Sequence, residues 1–138
     1  MLKIEIEVQQ SKQVLGLKYF AVGLSEIDKK KLLEVGAKGM STFMSYYILK
    51  AVASFDKEYA INMMKEYYGA MLDKGATTFW EDFDLEWAKN SCRIDELPKE
   101  SEKDIHGDFG AYCYKGFRHS LCHGWSAGVI RFINEECE

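Results

Sequence analysis

STFMSYYILKAVASFDKEYAINMMKEYYGAMLDKG, Ser41 to Gly75, is the stretch that decides the fold. Met44, Tyr47, Ile48, Ala51 and Phe55 recur at helical spacing, and Ser41 or Thr42 stands where a helix cap is expected. Asp56 caps a second run, with Ala60, Met64, Tyr67 and Met71 on one face and Gly75 to close it. Two helices joined by a few residues lie adjacent and antiparallel, so the stretch predicts a helical hairpin.

Working toward the N-terminus, Ser25 followed by Asp28 is a capping signal for another short helix, which Gly36 and Gly39 stop. Before it, Val14, Leu17, Ala21 and Leu24 keep helical spacing, and Gly23 weakens the end of that run. Residues 11–74 therefore read as two α-hairpins, successive layers of an α/α array. In the first ten residues the period changes: Leu2, Ile4, Ile6 and Val8 alternate with Lys3, Glu5 and Glu7, which predicts a short strand with one apolar face. Toward the C-terminus, residues 75–119 form a long loop region holding the single proline, Pro98, a polar run from Arg93 to Asp108 and the aromatic stretch HGDFGAYCYKGFRHS. A loop of that length inside a compact domain is functional or disordered, and its aromatic density argues against disorder. A terminal helix over about Ser126–Glu135, within residues 120–138, carries Val129, Ile130 and Ile133. The expected class is all-α, in one domain spanning residues 1–138.

Composition bounds the function. A chain of 138 residues holds one domain with one core. Aromatic residues make up 14%, which calls for a large core or a surface that stacks on sugars or bases. The net charge of −4 argues against nucleic acid, which needs a basic patch. No run of about 18 apolar residues exists to span a membrane. The first residues lack the apolar region of a secretory signal, so the sequence as written is expected to be cytoplasmic, with Cys92, Cys113, Cys122 and Cys137 as reduced thiols.

Three segments concentrate chemistry. GATTFWEDFD, Gly75–Asp84, sets Trp80 directly against Glu81, with Asp82 and Asp84 following, where a helix ends. A Trp ring offers a flat apolar face to a pyranose and lowers the polarity around a carboxyl group. Glycoside cleavage needs two such carboxyl groups, one acid and one base or nucleophile. On local pattern alone, a core anchor at Trp80 with solvated acids in a turn is the better reading. FRHSLCHGW, Phe117–Trp125, gathers Arg118, His119, Cys122, His123 and Trp125. Cys113, His119, Cys122 and His123 invite a zinc reading, but there is no C-x-x-C and Cys122 adjoins His123, so no metal or other cofactor is expected. His123 and Arg118 read better as hydrogen-bond donors to a polar ligand. In DIHGDFG, Asp104–Gly110, a turn closed by Asx-type side-chain bonds is the better reading than a metal site.

Taken together, GATTFWE at Gly75–Glu81 and SLCH at Ser120–His123 resemble the end of the catalytic domain of bacterial α-L-rhamnosidases, glycosidases built as a six-hairpin α/α toroid. The late motif of that family reads G-A-T-T-x-W-E, followed after an insert by S-L/F-x-H, and AKGMSTFMSYYILKA resembles the helix pair before it. The resemblance covers about residues 11–135. It implies that Glu81 is the general base that activates water in an inverting displacement. It implies that His123 contacts sugar hydroxyls and that Trp80 forms a wall of the pocket. Asp82, Asp84, Arg118 and Trp125 are implied as nearby substrate contacts.

The resemblance also implies what this chain lacks. The family's general acid lies on an earlier, acid-rich segment between other helices, and no such segment is present. A full ring, at about 11–12 residues per helix plus loops, exceeds 138 residues. The expectation is roughly half a toroid, a C-terminal piece of a rhamnosidase-like catalytic domain, inactive or weak alone. Its uncovered inner faces would recruit a second copy or the remainder of the toroid. The alternatives are a non-catalytic carbohydrate-binding module and a helical interaction module.

Overall fold

A computed structural model describes residues 2–34, 36–109 and 119–137, with residues 2–11 described by their backbone alone. It is mostly helical: α1 (Leu2–Val22), α2 (Glu26–Leu33), α3 (Ser45–Ala53), α4 (Lys57–Asp73), the short α5 (Leu85–Ala88) and α6 (Gly128–Glu136), which a 3-10 turn over Gly124–Ala127 leads into. Among the described residues there is no β-strand, and the one extended pairing is an isolated bridge between Ser91 and Lys103.

The strand expected at residues 1–10 is thus corrected: Leu2 to Gln10 belong to α1. Alternating Ile and Val favour a strand only where a neighbour takes up its backbone N–H and C=O groups. With no partner strand described, a helix satisfies those groups within itself, and the interleaved Leu, Lys, Glu and Gln are good helix formers.

The capping chemistry of α2 and α4 is as the sequence predicts. Ser25 and Asp28 form a complete capping box on α2. Asp56 caps α4 through a bond from the Tyr59 amide at 3.0 Å, and Gly75 ends it at a φ of 91°, a conformation only glycine adopts cheaply. Ser41 is displaced from its expected role. α3 begins at Ser45, and the Ser41 hydroxyl instead accepts from the Met44 amide at 3.3 Å in the turn before it.

α3 is the hub, packing against α1, α2, α4 and α6. Its Ile48, Leu49, Ala51 and Val52 are all fully buried. Such a helix is expected to have an apolar stripe wider than one seam. α6 approaches it at Gly128, where an added Cβ would meet the Tyr46 Cβ at 2.9 Å. Salt bridges from Lys50 to Glu135 and Glu136 tie the far ends of the same two helices. α1 turns a different face inward than its periodicity predicts. Lys12 and Leu15 are buried, whereas Val14 and Leu17 are 62% and 50% exposed. No helix among the described residues is long and apolar enough to cross a membrane.

Candidate functional site

Gly75 turns the chain off α4 and lays residues 78–83 alongside residues 119–126. The two segments are stitched at several points. The Glu81 amide donates to the Ser120 carbonyl at 2.8 Å, and the His123 amide donates to the Phe79 carbonyl at 2.7 Å. The Thr78 and Ser126 hydroxyls donate to the Leu121 and Trp80 carbonyls. The two motifs picked out of the sequence, 42 residues apart from Glu81 to His123, are therefore one structural unit.

Glu81 lies at its centre. The residue is 6% exposed. Its carboxylate accepts the Ser120 amide at 2.7 Å, a charge-assisted bond. Its carbonyl accepts from the Thr42 hydroxyl at 2.5 Å and the Trp125 indole N–H at 2.7 Å. The second of these fixes the Trp125 ring, which remains 42% exposed. Around it stand His123, with ring centroids 4.2 Å apart, and Phe43, edge-on at 5.7 Å. Phe43 is itself 51% exposed. The result is a partly exposed aromatic surface with an imidazole at its edge, anchored to the main-chain carbonyl of the buried Glu81.

Sequence reasoning did not single out Phe43. The available signal was its position: a large aromatic immediately before Met44 and off the α3 stripe faces away from the core.

Trp80 occupies a different place from the one expected. Its ring is completely buried and packs edge-on against Phe83, which in turn meets Tyr67 of α4. The Tyr67 hydroxyl donates to the Phe83 carbonyl at 2.5 Å. With no exposed face, Trp80 anchors the Glu81 segment in the core instead of forming a wall that a ligand touches. The exposed indole of the unit is Trp125. Arg118 and Cys113 lie outside the described residues.

Asp82 is half-buried, and its carboxyl is pushed up to about 6, first by burial and then by the neighbouring carboxylates of Asp84 and Glu81, against the bond it accepts from the Phe83 amide. Asp84 caps α5 by accepting from the Glu86 amide at 2.8 Å.

Beneath the unit lies an imidazole pair. His119 is 3% exposed, and its ring is 5.2 Å from that of His106, nearly perpendicular to it. Among the described residues Trp80 and Trp87 face the His119 ring, and Phe109 stacks on Trp87 at 5.1 Å. Burial pushes the His119 imidazole down, and the Phe109 carbonyl, 3.4 Å from Nδ1, opposes that shift. The Asp104–Asp108 turn that carries His106 is the Asx-type turn its sequence predicts. The Asp104 carboxylate accepts from the His106 and Gly107 amides at 2.9 and 3.2 Å. Among the described residues, no group of three or more His, Cys, Asp or Glu side chains could hold a metal ion.

An apolar groove of about 390 Å³ runs on the α4–α6 side, lined by Met64, Tyr68, Met71, Phe79, Val129 and Ile133 among others. Thr77 and Thr78 of the first motif stand along it, whereas Glu81, His123 and Trp125 do not line it.

No protein-family model, curated protein or solved structure matches the chain.

Proposed function

We propose that this chain is a fragment or truncated form of an α-L-rhamnosidase-like glycoside hydrolase, an enzyme that in full length inverts terminal α-L-rhamnosides. In this reading the antiparallel helical hairpins are roughly half of an α/α toroid. The observation that carries it is that the two segments meet: the Trp125 indole donates to the Glu81 carbonyl, His123 stands against the Trp125 ring, and the Glu81 carboxylate accepts the Ser120 amide. Trp125 offers an apolar face to a sugar ring, His123 a hydrogen-bonding edge, and Glu81 a carboxylate suited to activating water. Asp82 stands next in the chain as a polar contact. An inverting pair holds its carboxyl groups about 6.5–9.5 Å apart with water between, and the resemblance gives this chain only the base. The acid is then contributed by the remainder of the toroid or by a second copy of the chain.

The experiment is hydrolysis of an aryl α-L-rhamnoside by the purified chain, beside binding of L-rhamnose followed at the Glu81 and His123 backbone amides by NMR. The expected result is binding that Trp125→Ala abolishes, with no turnover above the Glu81→Gln control. Turnover that depends on Glu81 would replace the incomplete-site reading with a complete one. Absence of binding would end the carbohydrate reading.

One observation favours a second reading, a carbohydrate-binding module without chemistry. The Glu81 carboxylate is already held by the Ser120 amide and the residue is nearly buried, which suits a clamp between two segments as well as a base. Under that reading Glu81→Gln leaves L-rhamnose binding intact and lowers stability by about 1–3 kcal/mol.

A further inference from the structure

Three features lie outside the reading above. The α4–α6 groove is apolar and open, and nothing on it selects an occupant. Lys12 is buried in α1, with its ammonium donating to the Gly36 carbonyl, a contact that ties α1 to the turn after α2. The imidazole pair beneath Glu81 goes further, because its geometry leaves polar atoms unanswered at one place.

The Nε2 of His119 and the Nδ1 of His106 are both buried with no hydrogen-bond partner among the described residues, and so is the Trp80 indole N–H beside them. Buried polar atoms without partners are rare and costly. A neutral imidazole can leave one nitrogen as a bare acceptor at moderate cost, whereas an imidazolium carries an N–H at both positions and requires partners for them. The rings are 5.2 Å apart, so charging both adds like-charge repulsion in a site walled by Trp80, Trp87 and Phe109. The charged groups that act on His119 among the described residues are His106, Glu81 and Asp104. The two carboxylates favour the charged ring, and burial outweighs them.

We propose that the His106–His119 pair is an acid-sensitive latch, which holds residues 119–123 against Glu81 while His119 is neutral and releases them when His119 is protonated. The coupling is short. Ser120 follows His119 directly, and its amide holds the Glu81 carboxylate, while its carbonyl accepts the Glu81 amide. Three residues later the His123 amide holds the Phe79 carbonyl. Release of His119 therefore frees the groups that position both Glu81 and His123. The latch stands whether or not the site binds sugar, so its failure and the failure of the carbohydrate reading are separate results.

The sign follows from linkage. His119 is held below the ordinary imidazole value of 6.5, so the latched state binds fewer protons than the released one. Its stability is fully present above that value and is lost as pH falls below it. The test measures amide hydrogen exchange at Glu81, Ser120 and His123 between pH 7.5 and 5, expressed as protection factors, with α4 amides as reference. Protection at those three amides is expected to fall by up to about tenfold per pH unit for each proton taken up, while α4 stays protected. In His119→Gln, which keeps a neutral side chain, the fall on acidification should disappear, leaving the opposite trend set by Asp82, whose protonation favours the folded segment; Asp82→Asn as the common background removes that trend. If the His119→Gln variant does not fold, His106→Gln serves instead, and the release should move to lower pH because the like-charge repulsion is gone. A nitrogen-15 titration of the imidazoles supplies the direct check. The proposal is overturned if His119 titrates at or above 6.5, if the three amides keep constant protection, or if α4 opens at the same pH.

Discussion

Asp82 shows how a residue that reads as a solvated acid becomes something else once its neighbours are fixed. Its carboxyl is pushed up to about 6 by burial and by the carboxylates on either side of it in sequence. The folded state therefore binds a proton on Asp82 that the unfolded chain, titrating at 3.8, has already released. Stability contributed by this group is present below about 3.8 and is lost as pH rises through 6. Asp82→Asn supplies a permanently neutral side chain of the same shape. The variant is expected to unfold at a higher temperature than the parent at pH 7, and at nearly the same temperature at pH 4. A thermal melt series at the two pH values measures this, and a variant less stable at pH 7 would mean that the ionised carboxylate has a partner worth more than its burial costs. The adjacency of Trp80, Glu81 and Asp82 was legible in the sequence, but which of them faces solvent was not. Three consecutive residues in a loop carry no periodicity, and only the stitching of residues 78–83 to residues 119–126 decides that Trp80 turns inward while Trp125, 45 residues on, supplies the exposed ring.

At the scale of elements, start and stop signals were the most dependable part of the sequence. Ser25, Asp56 and Gly75 act where they were expected to, because a cap is a local contract between one side chain and amides within three residues. Faces were less legible. In α4 the sequence names Met64 for the core, whereas Met63 is the residue at 2% exposure. In α6, Ile130 and Ile133 keep helical spacing yet are 48% and 39% exposed, while Val129 and Phe132 are buried. An apolar stripe locates a helix but does not say how the helix is rolled against its neighbour. The roll of α6 is set by Gly128, whose missing side chain lets the backbone close on Tyr46. Gly128→Val would force a branched side chain into a contact of 2.9 Å at its first carbon. Overpacking of this kind costs about 1–3 kcal/mol, more than the fraction of a kcal/mol a Gly replacement returns in helix propensity. Urea denaturation should therefore show the variant destabilised, with α6 as the first amides to lose protection. An unchanged midpoint would show that α6 can roll away from α3 without loss.

For the whole molecule, the all-α class was legible because two strongly periodic runs sit side by side in residues 41–75, and the physics of adjacent amphipathic helices leaves few alternatives. What the sequence misjudged is the first helix. Its period-2 opening pointed to a strand, and its apolar residues Val14 and Leu17 pointed inward. The decision belongs to α3, which packs against four other helices. α1 meets that hub at Gly16, against Ile48, buries Leu15 and leaves Val14 and Leu17 outside. Three truncations read this architecture directly. Ile48 is fully buried at the hub, so Ile48→Ala should cost about 2–5 kcal/mol. Leu15 of α1 is 7% exposed, so Leu15→Ala should lie in the lower part of the same range. Leu17, only two positions away and equally apolar, should change stability by about 0.5 kcal/mol or less when cut to Ala, because half of its surface is already in water. Chemical denaturation of the three variants gives the ordering. Should Leu17 cost as much as Leu15, α1 is rolled as its periodicity suggests, with the Val14–Leu17 face against α3. A hub that tolerates Ile48→Ala would remove α3 from the centre, and the unit formed by Glu81, His123 and Trp125 would then lose the scaffold that brings its two segments together.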